Sequence, residues 1–348
     1  MSPTGSLTPT LSVVIPVYNE AAGLPFLFAR LYPALDALRL EYEVIFVNDG
    51  SIDASASILR TIWHQRPDTT RVVSLAANFG QHRALLAGFS VSQGQRVVTM
   101  DADLQNPPEE IKKLMKAMDE GHDYVGTIRA RRQDKSWRRW ASKSMNLLRE
   151  RITDIKMTDQ GCMLRAYSRT IVDSINQTRE ASAYIPALAV IFARNPTEVV
   201  VRHESRVAGE SKYSLYSLAR LNFDLITGYS IVPLQVFSIF GMVVAIASVI
   251  AYVGTISHRA LTGALTLTAL WDRDILEFFL IGALLFGLGM VGEYVGRIFE
   301  QVRGRPLYII ENLLESARER AGAVPPEGSK VVHIHDARSF ASETDRPS

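Results

Sequence analysis

The sequence predicts an α/β fold: a mostly parallel sheet with helices on both faces, then an amphipathic interface helix and a two-helix transmembrane hairpin. Three observations predict it. Short, continuous apolar runs alternate with stretches of helical apolar spacing through residues 11–129, as in a parallel sheet covered on both sides. Several of those runs stop abruptly at polar corners, and parallel sheets bind ligands beyond the carboxyl ends of their strands. Two further apolar runs, beginning at 231 and 275, are each long enough to cross a bilayer.

The elements follow in order. Residues 1–10 are polar, with Pro and Gly, and lack the basic and then apolar pattern of a cleaved signal peptide; they are expected to be flexible. Leu11-Ser-Val-Val-Ile-Pro-Val reads as a strand buried on both faces, ending at Tyr18-Asn-Glu20. Apolar residues at helical spacing cover 24–40. Tyr42-Glu-Val-Ile-Phe-Val repeats the buried strand and ends at Asn48-Asp-Gly50, with Ser51 or Asp53 as cap of the next helix. A third strand spans 71–75, a helix 81–92 and a fourth strand 96–100. That strand runs into Asp101-Ala-Asp-Leu-Gln-Asn-Pro-Pro-Glu109, where Asn106 is set as an N-cap with Pro107 at the first helical position. Strands are also expected over 123–129 and 197–203. Together, 11–212 are expected to form one domain, the one that would be catalytic if the strand-end acids described below are.

In the second half, 213–230 carries Leu215, Leu218, Leu221, Phe223 and Leu225 among Arg220, Asn222 and Asp224, as an amphipathic helix at a membrane interface would. The block 231–298 holds two spans, about 233–256 and 275–297, joined by a short periplasmic linker. A buried hairpin in a soluble protein is the competing reading; the length and uniformity of the first run disfavour it. Lys212, Arg220, Arg297, Arg303 and Arg305 flank the spans, against Arg259 and Arg273 between them, so both large ends are assigned to the cytoplasm. The segment 299–348 is a cytoplasmic tail, loosely ordered in its last part. The formal net charge of +2 argues against nucleic acid as a partner, and the lone Cys162 excludes an intramolecular disulfide framework.

Asp101 and Asp103 are the centre of the candidate site. Carboxylates two apart at a strand end can converge on one hard cation, with the Gln105 carbonyl as a third oxygen ligand, and Mg²⁺ or Mn²⁺ suits such a set. A solvated strand end before a capped helix fits the same residues. The chain has neither Gly-x-Gly-x-x-Gly after its first strand nor Gly-x-x-x-x-Gly-Lys-Ser, so no glycine cradle is present to hold phosphate and a metal must neutralise it. Three polar corners on one sheet edge have the geometry of a nucleotide site, with Asp49 set to meet a base or ribose. The cluster Arg129, Arg131, Arg132, Lys135, Arg138 and Arg139, interleaved with Trp137 and Trp140, suits anionic headgroups or a phosphate acceptor, or a solvated helix face. Asp159 fits a catalytic carboxylate and a turn residue equally well. Val207-Ala-Gly-Glu-Ser-Lys-Tyr213 reads as a loop that carries Lys212 as a mobile cation over a diphosphate.

Val14-Ile-Pro-Val-Tyr-Asn-Glu20, Val47-Asn-Asp-Gly-Ser51, Asn78-Phe-Gly-Gln-His82, Asp101-Ala-Asp-Leu-Gln-Asn-Pro-Pro108, Gly161-Cys-Met-Leu-Arg165 and Gly209-Glu-Ser-Lys-Tyr213 carry a resemblance. The chain resembles, over about residues 10 to 310, the family 2, GT-A-fold glycosyltransferases that act on polyprenyl phosphates. Gly80-Gln-His82, Asp101 to Glu110 and Gly292-Glu-Tyr-Val-Gly-Arg297 make it similar to the bacterial branch that passes 4-deoxy-4-formamido-L-arabinose to undecaprenyl phosphate. The resemblance implies inverting, metal-dependent transfer from a UDP-sugar, in an inner-membrane homotetramer in contact with membrane lipids. Asp101, Asp103 and Gln105 would hold the metal. Pro16, Tyr18, Glu20, Asp49 and Asp101 would line the nucleotide, Arg129, Arg132 and Lys212 would contact phosphates, and Asp103 and Asp159 would be catalytic. Asn48 departs from the pattern, since relatives often have a second acid there. Alternatives are a polyprenyl-phosphate glucosyl- or mannosyltransferase and a non-catalytic membrane scaffold with a degenerate transferase domain. A processive polysaccharide synthase is disfavoured because Gln133 is followed by Asp-Lys-Ser-Trp rather than by Gln-x-x-Arg-Trp spacing.

Overall fold

β1 (Leu11–Val17), β2 (Tyr42–Asn48), β3 (Thr70–Leu75) and β4 (Arg96–Thr99) are the four apolar runs anticipated from the sequence, and they pair in parallel in the order β4-β1-β2-β3. The computed structural model describes residues 9–130, 157–159, 161–178, 184–204, 231–262 and 269–316. Two faces explain why these runs are continuously apolar. Leu11, Val13, Ile15 and Val17 with Val44 and Phe46 pack against α1 (Leu24–Asp36), α2 (Ser55–Gln65) and α4 (Ile111–Asp119). Val14 and Val47 face the other way, toward Gly88 of α3 (Gln81–Val91). Side chains alternate along a strand, so a strand covered on both faces has no polar position to spare.

Pro16 sits in a central strand, where its missing N–H would ordinarily break a ladder. Met100 N donates to Val14 O, so Pro16, two residues on, faces the same side, and there β4 has already ended at Thr99.

β5 (Tyr124–Arg129), β6 (Arg165–Ser168), β7 (Pro196–Val201) and β8 (Ile310–Leu314) complete an eight-stranded sheet in the order β7-β5-β6-β4-β1-β2-β3-β8. β6 and β8 are antiparallel to their neighbours and the remaining pairings are parallel. α5 (Arg169–Gln177), capped by Ser168, and α6 (Ile185–Phe192) follow β6. Neither β6 nor β8 was anticipated.

Local boundaries differ where prolines and turns intervene. The first helix ends at Asp36 rather than 40, and Arg39 takes a left-handed φ of 55°. The helix after the acid pair does not begin at Pro107: Pro107 is extended (ψ 133°), as the residue before a proline must be, and Pro108–Glu110 form a 3₁₀ turn before α4. Asn106 is buried, and its Oδ1 accepts from the Cys162 thiol at 3.4 Å instead of capping. Asp53 does serve the next helix, accepting from Ser55 N at 2.9 Å.

The chain divides into two compact units, one of residues 1–146, 155–212 and 305–348, the other of 147–154 and 213–304. The second contains α7 (Val232–Thr262) and α8 (Ala269–Val302), which meet where Phe237 stacks 5.8 Å from Phe286 and lies over Gly287. Among the described residues, Leu280–Val302 is long and apolar enough to cross a membrane, and Val232–Val244 is a shorter apolar stretch. Glu293 pairs with Arg297 one turn on, at 2.8 Å. Residues 205–230, which include the expected interface helix, and the tail from 317 lie outside the described residues.

Candidate active site

The strand order β4-β1-β2 sets the three polar corners side by side on one edge of the sheet. Hydrogen bonds lace the first two, after β1 and β2, together. Ser51 Oγ accepts from Asn19 N at 3.1 Å, Asn19 Oδ1 accepts from Ile52 N at 2.9 Å, and Ser55 Oγ accepts from Glu20 N at 3.0 Å. Asn48 turns its Oδ1 to Ser51 N at 3.1 Å and so builds the corner itself. Tyr18, at 40% exposure, presents its ring at the surface of this edge.

Asp49 is buried and braces the neighbouring loop, accepting from Phe79 N at 2.7 Å and Gly80 N at 2.9 Å. Burial raises its pKa, with those two N–H groups pulling the other way. The sequence expectation gave Asp49 to a base or ribose; its geometry also makes it the tie between the loops after β2 and β3.

The loop after β4 settles how the acids are presented. Ala102, Leu104 and Asn106 are buried, while Asp101, Asp103 and Gln105 between them remain partly exposed. Leu104 has a left-handed φ of 59°, which for a residue with a Cβ costs about 1 kcal/mol. That turn lets Asp103 Oδ1 accept from Gln105 N at 3.1 Å. Asp101 Oδ1 accepts from Gln81 Nε2 at 2.6 Å.

Arg129, at the end of β5, and Asp159 meet as a bidentate pair: Nε to Oδ2 at 2.7 Å and Nη2 to Oδ1 at 2.8 Å, with Gly161 N adding a bond to Oδ1 at 3.2 Å. Beneath this loop lies Arg165, wholly buried. It donates to Asp159 O at 2.7 Å and Cys162 O at 2.8 Å and contacts the Tyr124 hydroxyl. The burial of His82, and then the charge of Arg165, hold the pKa of His82 down to about 4. His82 packs edge-on to Tyr184 at 4.9 Å. Arg132 and Lys212, the other expected phosphate contacts, lie outside the described residues.

Sequence reasoning missed His203. It follows β7, whose parallel partner β5 ends in Arg129, so it belongs to the same edge. Its Nδ1 is buried without a hydrogen-bond partner, and its pKa is lowered by burial and then by Arg129, with Asp103 and Asp159 opposing. A cleft of about 240 Å³ lined by Ala130, Arg202, His203 and Glu204 opens beside it. A polar residue at the end of one more parallel strand was the available signal.

Residues 12–175 match the family model described as glycosyl transferase family 2. The chain is 45% identical over 335 residues to an undecaprenyl-phosphate 4-deoxy-4-formamido-L-arabinose transferase of Pseudomonas syringae pv. syringae (strain B728a), covering 92% of this chain and 97% of that one. This chain belongs to glycosyl transferase family 2. A second relative of the same name, from Edwardsiella ictaluri (strain 93-146), is 46% identical over 313 residues, covering 88% of this chain and 94% of its own. Among solved structures, glucosyl-3-phosphoglycerate synthase from Mycobacterium tuberculosis with Mn²⁺, UDP-glucose and phosphoglyceric acid aligns over 63% of this chain and 78% of its own, at 18% identity and a TM-score of 0.45. As a family 2 member the protein is an enzyme, a glycosyltransferase, and its mostly parallel α/β sheet is the scaffold for that activity.

Proposed function

We propose that this enzyme transfers a sugar, 4-deoxy-4-formamido-L-arabinose, from its UDP-linked donor to undecaprenyl phosphate, with inversion, at the cytoplasmic face of a bacterial inner membrane. The observation that carries the substrate is the extent of the likeness. Relatives named for that acceptor and sugar match across nearly their whole length, so the likeness includes the apolar helices beyond the sheet. A lipid acceptor accounts for those helices: a polyprenyl chain stays in the bilayer, and two membrane spans would bring the catalytic unit to it. The same resemblance supports a homotetramer surrounded by membrane lipid.

The residues fit a divalent ion. Among the described residues no three of His, Cys, Asp and Glu converge to hold one unaided. Mg²⁺ is commonly held by one or two carboxylates together with substrate phosphates, and Mn²⁺ accepts the same hard oxygen donors. Asp101, Asp103 and Gln105, partly exposed on one loop, supply that partial set, and His203, whose Nδ1 is buried without a partner, is close enough to Asp103 to feel its charge. When bound, the ion would stabilise charge on the departing diphosphate as a Lewis acid. Tyr18, Glu20 and the Pro16 strand end would flank the nucleoside. Arg129, held in orientation by Asp159, offers a fixed guanidinium edge to phosphate. A phosphate acceptor already carries an anionic oxygen near neutral pH, so Asp159 need not act as a base and instead orients its partner.

The test is a panel of UDP-formamidoarabinose, UDP-glucose and GDP-mannose offered to the purified full-length enzyme with undecaprenyl phosphate, with and without chelator. Product lipid from the first donor only, abolished by EDTA and restored by Mg²⁺ or Mn²⁺, is the expected outcome. Preference for glucose or mannose overturns the sugar assignment, and full turnover in chelator overturns the metal.

A further inference from the structure

We infer that Gln81 is a positioning residue for the metal-bearing loop: its neutral amide fixes the Asp101 carboxylate without cancelling the charge a cation needs. The inference rests on the metal-dependent reading above. At 2.6 Å from Asp101 Oδ1, only the amide nitrogen of Gln81 can face the carboxylate, because oxygen against oxygen would repel. The side chain arrives there through a fixed chain of contacts. Asp49, at the end of β2, holds Phe79 N and Gly80 N; Gly80 takes φ +91°, a conformation that favours glycine, and α3 begins at the next residue. Gln81 is therefore delivered to the loop after β4 from a rigid helix start, braced from a third strand.

The chemistry of the donor matters. A lysine or arginine at this point would form an ion pair with Asp101 and compete with a divalent ion for the same oxygens. An aliphatic residue would remove this hydrogen bond altogether. An amide alone among these orients the acid while leaving its negative charge in place. Gly80-Gln-His82 stood out in the sequence as a motif without a task, and this contact gives Gln81 one.

The experiment measures UDP binding by calorimetry over a Mn²⁺ titration, using full-length wild type, Gln81→Leu and Gln81→Lys, together with donor KM, kcat and thermal unfolding. Loss of a hydrogen bond to a charged group predicts about tenfold weaker Mn²⁺-supported UDP binding in Gln81→Leu, with binding in chelator unchanged. The loss is expected in donor KM, with an unfolding temperature close to wild type. Gln81→Lys keeps a donor of similar reach but should weaken Mn²⁺-supported binding further. Wild-type Mn²⁺ dependence in Gln81→Leu overturns the inference, as does an equal loss with and without Mn²⁺. Wild-type behaviour in Gln81→Lys overturns the charge argument. If wild type itself binds UDP no better with Mn²⁺ than in chelator, the metal reading fails instead.

Discussion

Asp103 and Asp159 are both acids on the candidate site, yet their surroundings set them to different work. Asp103 stands partly exposed beside a strained turn, while Asp159 is 5% exposed and locked to Arg129, itself 20% exposed. Replacing Asp159 by Asn keeps the shape, removes the ion pair and loosens Arg129; the loss of one charge-assisted contact predicts about a tenfold fall in kcat/KM. Replacing Asp103 by Asn strikes the proposed metal seat, where Lewis-acid stabilisation contributes several kcal/mol, so the fall should be on the order of a hundredfold or more. Parallel assays of both variants, with Mn²⁺-supported UDP binding as a second readout, decide the matter. Equal losses with metal binding retained in both would remove the distinction.

Among the elements, α3 lies tight against the sheet. A Cβ on Gly88 would lie 2.3 Å from Val14 Cγ1 and 3.1 Å from Val47 Cγ2, both on strands buried on two faces. Gly88→Ala must push the helix away from β1 and β2, and overpacking of this kind costs about 1–3 kcal/mol. The shift would also move Gln81 at the start of the same helix, so reduced unfolding temperature and weaker donor binding should appear together; a variant with both unchanged would show that the helix has room. Elements of this kind were legible in the sequence because their signals are local. The period of β1 to β4, and the polar residues at their ends, need only a few neighbours to be read, and adjacency then brought the three corners together. Pairings that depend on distant residues were not legible. Arg129 and Asp159 are separated by thirty positions. β6 is a short strand entering antiparallel, and nothing local announces that Ile310–Leu314, beyond the apolar helices, will rejoin the sheet. His203 carries no motif of its own.

At the scale of the molecule, that returning strand closes the catalytic sheet. β8 pairs antiparallel with β3, from Val72↔Leu314 to Leu75↔Ile310, and so covers an edge that would otherwise offer unpaired N–H and C=O groups to another chain. A buried charge cluster fastens it. Arg71, 1% exposed, donates to Glu315 at 2.7 Å and to Glu43 at 3.1 Å, and Glu43 also accepts from Ser12 Oγ and Gln93 N. Glu43 thus has other donors, whereas Arg71 is the cation that both acids share. Removing one member of a buried pair leaves the remaining charges uncompensated, at a cost of about 3–5 kcal/mol, so Arg71→Met should destabilise the sheet by about that much. Glu315→Gln keeps an acceptor oxygen just past the end of β8 and leaves Arg71 with Glu43, so it should cost only about 1–2 kcal/mol. Chemical denaturation followed by intrinsic tryptophan fluorescence gives the two values, and hydrogen exchange at Val72 to Leu75 reports the edge directly. If Glu315→Gln proves as damaging as Arg71→Met, the fastening of β8 depends on the Glu315 charge itself, and Glu43 does not stand in for it.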